Sequence, residues 1–117
     1  HLILHLDAQD IIEFKDMFAR LPLPFVIDHM GRVRAADGLD QAPFKVLLDF
    51  MKDEKAWVKI CGSERVSSDG PPFTDAAPFA HKLIEAARFV ESMMGRSLNG
   101  KIMHSGSLSA YRRKAAE

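Results

Sequence analysis

The first half of the chain contains three short runs of largely apolar residues, at positions 1–6, 25–27 and 57–61. Polar and apolar residues do not alternate regularly within them, as is typical of strands that are buried on both faces of a sheet. These runs therefore predict three strands of a sheet that is covered on both sides.

After each run, apolar residues recur three or four positions apart, which predicts three amphipathic helices. Asp10 and Glu13 have the spacing of a capping box and predict the start of the first helix, and Pro22 and Pro24 end it. Residues 62–74 predict a loop. The apolar helical faces comprise Ile11, Ile12, Phe14, Met17, Phe18 and Leu21; Phe44, Leu47, Leu48 and Met51; and Phe79, Leu83, Ile84 and Ala87.

Strands that alternate with helices of this length predict parallel βα units, and so an α/β fold with about three such units. Residues 88–117 differ from the rest. Acidic residues outnumber basic ones in residues 1–87, whereas basic residues dominate residues 88–117. We therefore predict a boundary near residue 87, followed by a divergent basic tail.

Composition narrows the class of protein. The chain has 117 residues, of which 47% are hydrophobic, and a net charge of zero, which is typical of a globular domain and gives no case for binding nucleic acid or membranes. No apolar run approaches the roughly 20 residues that cross a bilayer. The single cysteine, Cys61, cannot form an internal disulfide, so a reducing, cytoplasmic location is expected.

Polar and cationic residues follow each predicted strand. They are His5 after the first, Asp28, His29 and Arg32 after the second, and Ser63, Glu64 and Arg65 after the third. Ligands of parallel α/β folds bind at the carboxyl ends of the strands, where these residues converge. Because arginine suits contacts with carboxylates, the pattern favours a small anionic ligand.

Each of these residues also has a purely structural interpretation. In that interpretation His5 is a core histidine, and Asp28 and His29 form a hydrogen-bonded loop. Arg32 is then a solvated charge, and Ser63 caps a loop. Arg65 pairs with Glu64 at the surface, and Cys61 is a small buried hydrophobe. No metal-binding, nucleophile-elbow or phosphate-binding motif occurs. A metal site would need His5 and His29 together with further ligands.

Two motifs, Asp28-His29-Met30-Gly31-Arg32 and Cys61-Gly62-Ser63-Glu64-Arg65, are the most specific part of a wider similarity. With residues 2–7 and 75–87, they resemble the 2-pyrone-4,6-dicarboxylate lactonase group of the amidohydrolase superfamily. The resemblance covers about residues 1–87. It implies part of a (β/α)8 barrel, and an enzyme that opens a lactone by hydrolysis.

The resemblance also implies roles for individual residues. His29 would polarise the lactone carbonyl and Arg65 would hold a substrate carboxylate, with His5, Arg32 and Ser63 as further substrate-binding residues. No metal or other cofactor is implied. The general base of the group is an aspartate on a later strand, but the last aspartate here is Asp75. We therefore expect a barrel fragment that is a very poor catalyst by itself.

Two other functions stay open at this point. One is a noncatalytic α/β module that binds an anion or a partner chain, because exposed strand edges favour pairing and so a homo-oligomer. The other is a metal-dependent hydrolase or decarboxylase of the same superfamily. The sequence does not separate a pyrone dicarboxylate from a muconolactone or a sugar lactone.

Overall fold

The computed structural model describes residues 1–94 and a strand at 102–104. The strands in this part of the chain are β1 (Leu2–Leu4), β2 (Phe25–Ile27), β3 (Ala56–Ile60) and β4 (Ile102–His104). The helices are α1 (Ala8–Ala19), α2 (Ala42–Phe50), α3 (Ser63–Val66) and α4 (Ala77–Met94). Short 3-10 turns occur at His29–Arg32, Ala35–Asp37 and Thr74–Ala76. None of the described helices is long and apolar enough to span a membrane.

The strands form one parallel sheet in the order β1-β2-β3-β4. Leu4 is in register with Ile27, and Ile27 with Val58, so these strands run to the same edge of the sheet. Parallel neighbours require a crossover connection, which contains α1 between β1 and β2 and α2 between β2 and β3. The predicted parallel βα units are thus confirmed.

The sheet contains one strand more than the sequence pattern predicts. Strand β4 pairs with β3, with Ile60 in register with His104, although it lies within the predicted tail. Its three residues are too few to show a period, and Asn99, Gly100 and Ser105 surround them. Residues 95–101 and 105–117 lie outside the described residues. Helix α4 continues past residue 87 to Met94, and the predicted boundary there stays a prediction.

Helix α1 begins one turn earlier than predicted. Its N-cap is Asp7, whose backbone N–H donates a 2.8 Å hydrogen bond to the Asp10 carboxylate. The prediction that Asp10 and Glu13 form the capping box is therefore wrong. Both pairs have the same spacing in sequence, and β1 ends early enough, at Leu4, for the first pair to cap the helix.

The predicted loop at residues 62–74 also contains a helix, α3, which is a single turn and too short to give a helical period in the sequence. This turn follows β3 directly. It packs against the 3-10 turn at His29–Arg32, so the segment after β3 contacts the segment after β2.

The hydrophobic core joins β2 and β3 to helices α1, α2 and α4. Three aromatic rings meet in it, with the Phe25 centroid 6.2 Å from that of Phe18 and 5.9 Å from that of Phe50. The prediction that all three strands are covered on both faces is wrong for β1, where Leu2 is 40% and Ile3 is 63% exposed. The fully buried large side chains are Phe25, Phe44, Ile11, Ile27, Met30, Leu47, Met51, Leu83, Val33, Val58 and Val66.

The connection from α3 to α4 is tied together by the Asp75 carboxylate. It accepts hydrogen bonds from the Ser67 hydroxyl and from the backbone N–H groups of Ser68, at 2.7 Å, and Asp69, at 3.2 Å. The Ser67 hydroxyl, followed by these backbone donors, lowers the pKa of Asp75 below its ordinary value of 3.8. The folded chain therefore favours the ionised carboxylate.

Because its pKa is lowered on folding, Asp75 should stabilise the fold above about pH 4 and lose this effect as pH falls through the folded-state pKa. We expect Asp75→Asn to lower the melting temperature by a few degrees at pH 7, and by less as the pH approaches 3. Thermal melts across this range measure the difference. Asp40→Asn, at an exposed turn, is the control. A constant difference at every pH would contradict the assignment.

Candidate active site at the carboxyl ends of the strands

The carboxyl ends of β1, β2 and β3 bring together side chains that are far apart in sequence. His5 follows β1, Asp28 and His29 follow β2, and Lys59 and Cys61 lie at the end of β3. Ligands of parallel α/β folds bind at this edge. The cluster lies at the edge of the sheet where the sequence predicts the site.

The chain leaves β2 through a left-handed turn. The φ angles of His29, Met30, Gly31 and Arg32 are 50°, 51°, 66° and 49°. A non-glycine residue in this region costs roughly 1–3 kcal/mol and persists only where its surroundings hold it. Met30 is buried, and the Gly31 N–H donates a 3.0 Å hydrogen bond to the Asp28 carbonyl. Such strain clusters at functional sites, which favours a functional role for this turn.

His29 lies between the ends of β1 and β3. Its Nδ1 atom is 3.2 Å from the Cys61 sulfur, and its ring meets the His5 ring edge to face, with centroids 5.1 Å apart. Gly62 makes room for it, because a Cβ atom at Gly62 would lie 2.7 Å from His29 Nδ1. The ring is therefore held from two sides by residues of other strand ends.

Asp28 is the most enclosed charge of the cluster, with 13% of its side chain exposed. The Lys59 ammonium lies 3.3 Å from its Oδ1 atom, and His5 Nδ1 lies 3.7 Å from its Oδ2 atom. Within the described part of the chain, Oδ1 accepts no hydrogen bond, and the ion pair is its compensation. Asp28 thus pairs with Lys59 of β3 and lies next to His5, which follows β1.

Cys61 is half-buried and contacts an imidazole, so it does more than the small buried hydrophobe that the sequence suggests. Burial raises the pKa of its thiol above the ordinary value of 9.0. The thiol form therefore dominates at neutral pH. A nucleophilic cysteine needs a lowered pKa, so this environment does not favour nucleophilic catalysis by Cys61.

The structure places the other predicted site residues around this cluster. His5 is 60% exposed, so the interpretation as a core histidine is wrong. Arg32 lies 3.0 Å from the Asp7 carboxylate. Ser63 opens α3 and lines a groove with residues of α4. Arg65, 56% exposed, lies 3.8 Å from Glu64, the surface pairing that the sequence left open. Their roles toward a substrate stay predictions.

The cluster also offers a set of metal ligands. His5, Asp28 and His29 each present one ligand atom, and the three atoms lie within 4.8 Å of one another. Two imidazoles and a carboxylate suit a divalent transition metal. The donor set fits such an ion, although a metal would have to compete with Lys59 for Asp28.

The amidohydrolase family model matches residues 1–88 of this sequence. The chain belongs to the amidohydrolase family. Among curated relatives, the 4-sulfomuconolactone hydrolases of Rhizobium radiobacter and Hydrogenophaga intermedia are 44% identical over 81 residues and 37% identical over 84 residues. The 2-pyrone-4,6-dicarboxylate hydrolase of Comamonas testosteroni is 34% identical over 94 residues.

These matches cover 68%, 72% and 73% of this amidohydrolase chain, but only 27%, 28% and 31% of the relatives. A solved structure of a candidate 2-pyrone-4,6-dicarboxylic acid hydrolase from Pseudomonas putida matches with a TM-score of 0.65 and 26% identity. The match covers all of this chain and 40% of that one. A second solved structure, from Acinetobacter baumannii, matches this chain with a TM-score of 0.59 and 17% identity. The fold is thus a part of the amidohydrolase barrel, as predicted.

Sequence reasoning missed three residues of the cluster in this amidohydrolase chain. Lys59 carried a signal, because a lysine inside an otherwise apolar run needs a partner when buried. Cys61 and Gly62 belong to the second of the two specific motifs, but nothing in the sequence assigns them a contact with His29. Their importance arises from contact with His29, more than thirty residues earlier in the sequence.

Proposed function

We propose that this site belongs to a hydrolase that opens a lactone or carboxylic ester of an anionic, dicarboxylate-type substrate. Membership of the amidohydrolase family supports the proposal. The curated relatives support it too, because they are named as hydrolases of lactones. The observation that carries it is the position of His29. This imidazole stands on a strained turn at the carboxyl edge of the sheet, between His5 and Cys61.

In this proposal His29 polarises the substrate carbonyl. Its Nδ1 atom is engaged by Cys61, which leaves Nε2 as the ring nitrogen that meets the substrate. A donor aimed at a carbonyl stabilises the negative charge that develops on oxygen when water attacks. Water then adds to the acyl carbon and the ring C–O bond breaks, giving a carboxylate and a hydroxyl group.

The anionic part of the substrate is bound by Arg65, with Arg32, His5 and Ser63 lining the site. Arg65 is exposed, and Glu64 at 3.8 Å holds it only weakly, so its guanidinium can turn toward a carboxylate. Arginine binds carboxylates through two parallel hydrogen bonds. In this proposal, the contact favours a dicarboxylate over a neutral lactone.

We assign no general base to this chain. Asp28 adjoins His29 in the sequence, but its carboxylate is enclosed and already paired with Lys59. Positioned acid–base catalysis typically contributes about 10²–10⁴-fold. Ligand binding is therefore a sharper test of the site in this chain than turnover.

Isophthalate, a planar aromatic dianion without a scissile bond, is a suitable probe. At about 100 times its dissociation constant, a ligand stabilises the folded state by roughly 2.7 kcal/mol, which raises the melting temperature by roughly 10 °C. We expect His29→Ala and Arg65→Ala each to weaken binding about tenfold, the loss of one hydrogen bond with a charged partner. Titration calorimetry and thermal melts measure both effects.

Matched control variants distinguish binding of isophthalate at this site from a general effect of removing an imidazole or a positive charge. His1→Ala, before β1 at the opposite edge of the sheet, and Arg34→Ala remove an exposed imidazole and an exposed guanidinium elsewhere, and should leave isophthalate affinity unchanged. If binding survives His29→Ala and Arg65→Ala, the noncatalytic module that binds an anion elsewhere replaces this proposal. The absence of a cooperative melt would contradict the assignment of the site to this chain alone.

The ligand set of His5, Asp28 and His29 favours a second candidate, a metal-dependent hydrolase or decarboxylase of the same superfamily. Our first proposal uses no metal or other cofactor. Elemental analysis of the purified chain decides between them, since near-stoichiometric zinc or manganese supports the second. We further propose a cytoplasmic location, in keeping with the single free cysteine.

A further inference from the structure

The contact between His29 and Cys61 determines more than the position of the ring. A neutral imidazole carries its proton on one nitrogen only, and the other nitrogen is an acceptor. The partner of Nδ1 therefore decides whether Nε2 can donate a hydrogen bond. Here that partner is the Cys61 sulfur, 3.2 Å away.

Two hydrogen-bond directions are open at this contact, and their chemistry differs. Either Nδ1–H donates to sulfur, or the thiol S–H donates to Nδ1. A thiol sulfur is a weak acceptor, whereas the bare imidazole nitrogen is a good one. At 3.2 Å, Nδ1 lies within hydrogen-bond reach of the sulfur, so the thiol can act as the donor.

The backbone around Cys61 holds the sulfur in place. Cys61 directly follows β3, and its N–H donates a 3.1 Å hydrogen bond to the Lys59 carbonyl. Gly62, in a left-handed conformation with φ of 70°, lets the His29 ring approach the chain beyond β3. The ring and the sulfur are thus both fixed by backbone geometry.

We propose that Cys61 is a positioning residue that donates its S–H hydrogen bond to Nδ1 of His29 and so fixes the tautomer with the proton on Nε2. The inference rests on the proposed function in one respect, because the Nε2–H group is what would meet the substrate carbonyl. The opposite tautomer would present a lone pair to that carbonyl and repel it.

Long-range ¹H–¹⁵N correlation spectra of the full chain test the tautomer without any ligand. At pH 7.5 we expect His29 to show a protonated Nε2 and an unprotonated Nδ1, with its signals identified by their loss in His29→Gln. Cys61→Ser keeps a donor and should preserve this pattern. Cys61→Ala removes the donor and should give a mixture of both tautomers.

A wild-type spectrum with the proton on Nδ1 would overturn the proposal, as would an unchanged tautomer in Cys61→Ala. A purely structural role for Cys61 predicts that alanine, the closer apolar match, is tolerated better than serine. The positioning role predicts the opposite in the spectra, where Cys61→Ser keeps the wild-type tautomer of His29 and Cys61→Ala does not. The wild-type measurement decides the tautomer even where a variant fails to fold.

Isophthalate affinity links the tautomer to binding. Loss of one hydrogen bond should weaken binding about three- to tenfold in Cys61→Ala, and Cys61→Ser should restore it. If the spectra follow the prediction but the wild-type chain binds no isophthalate, the proposed substrate class fails and the role of Cys61 toward His29 stands. If isophthalate binds equally to all three proteins, Cys61 has no role in presenting Nε2.

Discussion

Phe25→Ala is expected to lower the free energy of unfolding by about 3–5 kcal/mol, the usual cost of deleting a buried aromatic side chain. Phe25 is fully buried in the second strand of the sheet, and its ring packs between Phe18 of α1 and Phe50 of α2. Removing it opens a cavity that the neighbouring rings cannot fill together. Since domains are typically stable by only about 5–15 kcal/mol, this loss is a large part of the total.

Urea unfolding and thermal melts followed by circular dichroism measure this effect, and the melting temperature should fall by roughly 15–30 °C. Phe89→Ala is the matched control, because Phe89 is 63% exposed on α4. An exposed position should change stability by less than about 0.5 kcal/mol. Equal effects of the two substitutions would show that Phe25 is not at the centre of the core.

Gly62→Ala should have the second large effect, which acts on stability and on the site together. Gly62 has a φ angle of 70°, and a non-glycine residue there costs about 1–3 kcal/mol. The added Cβ atom would also lie 2.7 Å from His29 Nδ1 and 3.0 Å from Cγ, so the ring must move. We expect isophthalate binding to weaken at least tenfold, because the displaced imidazole loses its contact with Cys61.

Gly38→Ala separates the backbone cost from the collision with His29. Gly38 has a comparable φ angle of 77°, but a Cβ atom at this position meets nothing within 4 Å. Its ψ angle of 173° lies in a region essentially restricted to glycine, whereas Gly62 has a ψ angle of 38° in the αL region. Gly38→Ala should therefore destabilise the chain at least as much as Gly62→Ala does through its backbone, and leave isophthalate affinity unchanged. Melting temperatures and calorimetric titrations of both variants test this, and equal affinities would contradict the close approach of Gly62 to His29.

The pattern of apolar residues predicts most of the fold. Phe25, Val26 and Ile27 are buried together, as their uninterrupted apolar run predicts. The helical faces built around Phe44 and Phe79 pack into the core as their spacing predicts. On α1 the predicted face is only partly right, because Ile11 and Phe18 are buried whereas Phe14 and Met17 are exposed. The pattern fails for short elements, since neither the single turn α3 nor the three residues of β4 complete enough of a period to be recognised.

In the candidate site, too, local sequence predicts some features and tertiary packing decides others. The position of His29 directly after an apolar strand predicts it as a site residue from local sequence alone. Its left-handed backbone, by contrast, also involves Met30 and Arg32, and no local preference of these residues favours that conformation. The surrounding packing imposes it, with Met30 buried in the core.

By itself, the sequence determined the order of β1 to β3 and of the long helices, the faces that α2 and α4 bury, and which residues follow the three strands. These features depend on spacings within a few residues, which a linear pattern records. The pairing of Asp28 with Lys59, and of His29 with Cys61, was decided only by the tertiary structure. Each pair spans about thirty residues, and the partners meet because parallel pairing of β2 with β3 sets the register at which the two strands end.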